Sequence, residues 1–196
     1  MKPDTTGMAV APVRRRLFVA ATIDQAARET GAFAAAALKR CGIRGRYVDP
    51  ANYHVTVAFL GSIGAPRIAH IVARLHEMAA HTKPLQISFE VVGSFPNRRR
   101  PRVVWMGSRH PNPRFAALCA TVRAALSPLG FSLDERDAAH VTLLRCERDS
   151  EPLPAIDLPG RVMEVAALTL FESRVSREGA RYAPLEIFTL GTAPAQ

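Results

Sequence analysis

The residues of this chain that could do chemistry together come as one short phrase written twice: His54-Val55-Thr56-Val57 and His140-Val141-Thr142-Leu143. Each copy is a histidine, an apolar residue, a threonine and another apolar residue. Alternate side chains of a β-strand point to opposite faces. Each phrase, as a strand, sets its His and Thr on one face and its aliphatics on the other. Strict alternation makes Val55, Val57 and Phe59 core and turns His54, Thr56 and Ala58 away from it. In the second copy it makes Val141 and Leu143 core and turns His140, Thr142 and Leu144 outward. One histidine on a polar strand face is usually without function. Two with the same His-x-Thr spacing are much harder to assign to chance.

Two imidazoles near neutral pH form an acid and base couple, since each titrates near pH 6.5 when unperturbed. A neutral ring takes a proton from water while a protonated one gives a proton to a leaving oxygen. Threonine hydroxyls beside them donate hydrogen bonds to phosphoryl oxygens as charge builds there. This scheme needs no metal or other cofactor. Its natural substrate is a phosphodiester, and a cyclic one suits it well. Ring opening needs only an acid on one side and an activated water in line on the other.

Other histidines offer less. His76-Glu77 with His81 has its second His at i+5, off the i, i+4 face that a helical zinc site requires. Cys41, Cys119 and Cys146 are widely spaced and odd in number, which points to neither a zinc knuckle nor a disulfide framework.

The elements that must position the phrases can be read in order. Leu17 to Ala20 is a strand. Asp24 caps a helix that Gly42 ends, and Pro66 opens a second helix with Ile68, Ile71, Val72, Leu75 and Met78 on one side. Leu85 to Val92 and Arg102 to Gly107 are strands around a basic loop, Arg98-Arg99-Arg100. Pro113 starts a third helix, and Gly130 ends it. Two long strands close the chain, Arg161 to Ser176 and Arg181 to Leu190, joined at Arg177-Glu178-Gly179-Ala180. Strands in antiparallel groups with a few long helices imply an α+β fold. A rough internal repeat, one phrase per half, fits two antiparallel sheets facing a central cleft, with helices on their outer sides. Residues 1–13 read as a flexible extension and 14–196 as a single two-lobed domain.

Composition narrows the partner. The 196 residues carry a formal net charge of +9, with 48% hydrophobic and 22% charged residues. The balance of hydrophobic and charged residues is that of a soluble globular protein. The positive charge favours an anionic partner such as nucleic acid. No apolar run is long enough for a bilayer span, and the N-terminus lacks the form of a secretory signal. A cytoplasmic monomer is the expectation. Arg98-Arg99-Arg100 and Arg102 could guide an RNA backbone, and Phe18 or Trp105 could stack a base at the cleft.

Several stretches resemble the two-histidine phosphoesterases, and among them the RNA 2′,3′-cyclic phosphodiesterase or 2′-5′ RNA ligase family. They are Arg16-Leu17-Phe18-Val19-Ala20, His54 to Gly61, Pro101 to Gly107, His140-Val141-Thr142-Leu143-Leu144-Arg145 and Tyr182-Ala183-Pro184-Leu185. The resemblance implies a bilobal α+β fold and opening of a 2′,3′-cyclic phosphate to a 2′-phosphate, with some members also able to join 2′-5′ ends. RNA ends bearing such a phosphate, tRNA fragments among them, are the implied substrate. It makes His54 the proton donor to the leaving 3′ oxygen and His140 the base, with Thr56 and Thr142 on the phosphate. It also gives Arg145 a phosphate contact. Strict alternation puts Arg145 on the wrong face, unless the strand ends or bulges after Thr142. Tyr47 stands where the family often has Trp, and Ala139 where it often has Pro. Two rival functions follow from the same residues: a phosphodiesterase for a small cyclic nucleotide or a 2′-5′ linkage, and a non-catalytic RNA-binding module. The two intact phrases count against the second, because binding alone needs no acid and base pair.

Overall fold

The computed structural model describes residues 14–135, 137–176 and 179–191. The expected extension over 1–13 and the turn at Arg177-Glu178 lie outside these residues. The elements run β1 (Arg14–Thr22), α1 (Gln25–Arg40), β2 (Gly45–Tyr47), β3 (His54–Gly64), α2 (Ala65–Ala80), β4 (Leu85–Phe95), β5 (Val103–Gly107), α3 (Pro113–Leu126), β6 (His140–Cys146), β7 (Asp157–Val165), β8 (Ala167–Ser176) and β9 (Gly179–Thr189).

The helices start and stop for local reasons. The Asp24 carboxylate accepts from the Ala27 amide at 2.7 Å and opens α1. The Asn112 side chain accepts from the Phe115 amide at 3.0 Å and opens α3. Gly42 and Gly130 follow the first and third helical segments at positive φ, 75° and 78°, where a side chain would be strained. Each helix buries one stripe: Ala27, Ala34 and Leu38 of α1; Ile71, Leu75 and Met78 of α2; Phe115, Leu118, Val122 and Leu126 of α3. These close against inward residues of the sheet such as Leu17, Val55, Phe89, Val141 and Phe188.

The strands form one nine-stranded antiparallel sheet in the order β7-β4-β5-β6-β3-β1-β8-β9, with β2 paired to β6. The expected pair of separate sheets is thus corrected to one. Four strands lie on either side of the β3–β6 junction, and that junction is a single register pair, Val55↔Val141. Past it the two strands part, and β2 takes over the edge of β6 at Leu144 to Cys146. One bridging pair and a wedge strand keep the hydrogen-bonded path continuous.

The expected strand from Arg161 to Ser176 is also corrected. It splits at Ala166 into β7, which pairs with β4, and β8, which pairs with β1. The split is dictated by partners: the chain leaves one wing of the sheet and joins the other. Among the described residues no helix is long and apolar enough to cross a membrane.

Candidate active site

Both phrases lie at the junction where the two halves of the sheet meet. Val55 and Val141 are paired and fully buried, so both point into the core. Their neighbours along each strand point the other way. His54, Thr56, His140 and Thr142 therefore share the opposite face, and all four are half-buried. Antiparallel counting one step either side of the pair sets His54 against Thr142 and Thr56 against His140. Beyond this point β3 and β6 part, and β2 takes the freed edge of β6.

Strict alternation fails at the same step in each copy. Against β1, Ala20 pairs with Thr56 and Val19 with Ala58, which leaves Val57 as an extra residue. Against β5, Trp105 pairs with Thr142 and Val104 with Leu144, which leaves Leu143 as an extra residue. Each is a β-bulge, and a bulge reverses which later residues face the core. Ala58 and Leu144, expected to face outward, are buried. Phe59, expected in the core, is 69% exposed. Arg145 is exposed and takes the facing of His140 and Thr142, which removes the conflict that alternation posed for it.

Each imidazole is held the same way. His54 Nδ1 donates to the Asn52 carbonyl at 2.7 Å, and His140 Nδ1 donates to the Ala138 carbonyl at 2.8 Å. A carbonyl only accepts, so the proton sits on Nδ1 and each neutral ring keeps its Nε2 lone pair free. The two carbonyls are themselves anchored. Asn52 Nδ2 donates to the Ala180 carbonyl of β9 at 3.0 Å. Next to Ala138, Asp137 forms a two-pronged ion pair with Arg123 of α3, at 2.5 and 2.9 Å.

Aromatic rings pack against both histidines. Phe18 lies 5.0 Å and Tyr182 5.1 Å from the His54 ring, while Phe95 lies 5.3 Å from the His140 ring. Phe18 also stacks on Phe171 at 5.2 Å and is only 4% exposed. It supports His54 and offers no open face for a base. Trp105 sits 5.4 Å from Phe95 in space that Gly93 leaves clear, since a Cβ on Gly93 would stand 2.3 Å from the indole. A pocket of ≈ 480 Å³ opens beside His140, lined in part by Phe95, Trp105, Arg109 and His110.

Burial lowers the proton affinity of both histidines, against a smaller rise from the carbonyl each one donates to. His54 is lowered further by the positive charges of His140 and Arg145. The site thus combines two bases with free Nε2 atoms, two hydroxyls and one guanidinium, a set suited to proton transfer around an anion.

A sequence model of the family described as LigT-like phosphoesterase matches residues 19–105, which include the first phrase. The RNA 2′,3′-cyclic phosphodiesterase of Archaeoglobus fulgidus is 36% identical over 181 residues, 88% of this chain and 99% of that protein. The chain belongs to the LigT-like phosphoesterases. The fold agrees. A solved structure from Thermus thermophilus superposes on this phosphoesterase with a TM-score of 0.79 at 26% identity, covering 90% of this chain and 98% of that one. The structure of E. coli LigT complexed with 3′-AMP gives 0.73 at 27% identity, covering 92% and 99%.

Sequence reasoning on this LigT-like phosphoesterase missed the groups that hold the histidines. Asn52 and Ala138 act through backbone carbonyls, which no residue type announces. Tyr182 lay within a stretch already singled out but carried no assigned role. Of the basic loop, Arg98 is tied to the carbonyls of Val92, Leu153 and Pro154, while Arg99 and Arg100 are exposed. His70 and His76 lie on α2, and His76 bonds Glu186 at 3.0 Å. Among the described residues no group of three or more His, Cys, Asp or Glu could hold a metal ion.

Proposed function

We propose that this protein is an RNA 2′,3′-cyclic phosphodiesterase that opens a terminal cyclic phosphate to a 2′-phosphomonoester. The observation that carries the reading is the facing pair of His-x-Thr phrases in a chain 36% identical to a protein of that name over nearly its whole length. His140 Nε2 takes a proton from water, whose oxygen attacks phosphorus. The bond from phosphorus to the 3′ oxygen breaks, and protonated His54 Nε2 gives its proton to that oxygen. The 2′ bond stays, so the product is a 2′-phosphate and a free 3′ hydroxyl. Thr56 and Thr142 donate to the non-bridging oxygens, and Arg145 offsets their charge. With a 5′ hydroxyl group in place of water, the same steps join a 2′-5′ linkage and free the 3′ hydroxyl.

The preformed tautomer supports this assignment of parts. With Nδ1 of both rings committed to carbonyls, either Nε2 serves as acid when protonated and as base when neutral. All the proposed groups come from one chain, so a monomer suffices. The net charge of +9 suits an RNA end better than a lone cyclic nucleotide. Incubation with an oligonucleotide ending in a 2′,3′-cyclic phosphate, followed by identification of the product, tests the proposal. A 2′-phosphate end is the expected product. A 3′-phosphate, or an untouched cyclic end, overturns it.

A further inference from the structure

Two arginines face each other across neighbouring strands at the edge of the site. Arg46 of β2 pairs directly with Arg145 of β6. Residues paired in this way lie about 5 Å apart at Cα and put their side chains on the same face. Arg145 takes the facing of His140 and Thr142 past the Leu143 bulge, so Arg46 takes it too. Arg102 does not join them. It stands level with Cys146, whose amide donates to its carbonyl at 2.9 Å, and so falls one step off the facing of Arg145.

Like charges set directly opposite on adjacent strands are destabilising. Three guanidinium groups elsewhere are matched by carboxylates: Arg123 by Asp137, Arg161 by Asp24, Arg174 by Glu172. Arg46 and Arg145 are both exposed, and neither has a carboxylate or carbonyl partner among the described residues. By register the nearest acid on this edge is Glu147, and it lies level with Arg44, whose carbonyl accepts its amide at 3.3 Å. The pairing is also built, not incidental. Gly45 brings β2 against β6 so closely that a Cβ there would stand 2.3 Å from the Arg145 carbonyl oxygen. An arrangement that repels itself when empty is relieved by an anion lying between or across the two groups.

We propose that Arg46, beside Arg145, binds the phosphodiester immediately 5′ of the terminal nucleoside while the cyclic phosphate occupies the His54/His140 face. The proposal rests on the phosphodiesterase reading above. Arg145 lies three residues past Thr142 and, beyond the Leu143 bulge, shares its facing. Arg46 lies one strand spacing further along, about 4.8 Å, on the edge of β6 that β3 leaves free. Guanidinium groups splayed from two such strands take successive phosphates of one chain. The ligand class is therefore an oligonucleotide with at least one internal phosphodiester, and a cyclic mononucleotide leaves Arg46 idle.

The test compares wild type with Arg46→Gln on two substrates: a 2′,3′-cyclic mononucleotide, and a dinucleotide ending in a 2′,3′-cyclic phosphate. Arg46→Gln should lower kcat/KM for the dinucleotide by roughly 10- to 100-fold, the usual size of a charge-assisted hydrogen bond. For the mononucleotide the same variant should match wild type. Arg46→Lys should recover part of the loss, as a point charge without a planar fork. Equal losses on both substrates, or no loss on either, overturn the proposal. Calorimetric binding of the two corresponding 2′-phosphate products gives a second readout. If wild type turns over neither substrate, the phosphodiesterase reading fails, and the binding difference still decides whether Arg46 holds the internal phosphate.

Discussion

Val57 and Leu143 occupy the same step of the two phrases, and each is the extra residue of a β-bulge. Each bulge lets two successive residues, Val57 with Ala58 and Leu143 with Leu144, enter the core. Each returns the residue five places after the histidine to the face of the cleft. That residue is Phe59 in one copy and Arg145 in the other. The two-fold likeness of the site thus ends in an apolar group on one side and a cation on the other.

Removing either imidazole tests the proposed acid and base directly. His54→Ala and His140→Ala should each lower cyclic phosphodiesterase activity by at least ~10²-fold, the lower end for acid–base groups. Circular dichroism of each variant should match wild type, because both rings are half-buried at the surface of the cleft. Near-normal turnover in either variant removes that histidine from the mechanism.

The reaction needs no metal in this scheme, because both proton transfers and the charge on phosphate are served by side chains. Activity should persist in excess EDTA. A loss that one added divalent metal restores would replace the proposed mechanism.

The pH profile carries a sign. Both histidines hold their protons less tightly than the ordinary 6.5. One must be protonated and the other neutral, so kcat/KM of the free enzyme should form a bell whose maximum lies below 6.5. Arg145→Gln removes a positive neighbour of His54 and raises its proton affinity. The limb of the profile that belongs to His54 should move to higher pH in this variant. A profile with neither limb moved would show that Arg145 does not act on His54.

Asp137 is a positioning residue for His140. Its ion pair with Arg123 anchors the segment whose Ala138 carbonyl holds the imidazole. Asp137→Asn should lower kcat by about 10- to 100-fold, the scale of a small misplacement of a reacting group. KM should change little, and the limb of the pH profile that belongs to His140 should shift. A fall in thermal stability with an unchanged kcat and pH profile would reduce the ion pair to a structural tie.

Gly45 should tolerate no side chain. Its φ is 145°, and an added Cβ would meet the Arg145 carbonyl oxygen at 2.3 Å. Gly45→Ala should cost about 1–3 kcal/mol in urea denaturation, the usual penalty of overpacking, and should loosen β2 from β6. Unchanged stability would mean that the edge yields without strain.

Much of the fold was legible because its signals are local. Asp24, Pro66, Pro113, Gly42 and Gly130 mark helix ends by backbone chemistry that needs no partner. The two phrases were legible for the same reason: a histidine and a threonine two residues apart share a strand face wherever the strand lies. What could not be read depends on pairing. Alternation alone put Phe59 in the core and Ala58 and Leu144 outside it. Only the registers against β1 and β5 reveal Val57 and Leu143 as the extra residues that reverse them.

By itself, then, the sequence determined that His54 and Thr56 share one strand face, as His140 and Thr142 do, in a basic chain. Tertiary structure alone decided that Val55 pairs with Val141, that one sheet rather than two carries the cleft, and that Arg46 meets Arg145. The physical reason is that residue type and spacing fix which way a side chain points along its own strand. Which strands lie side by side, and in what register, is settled by long-range burial and hydrogen bonding among segments far apart in the chain.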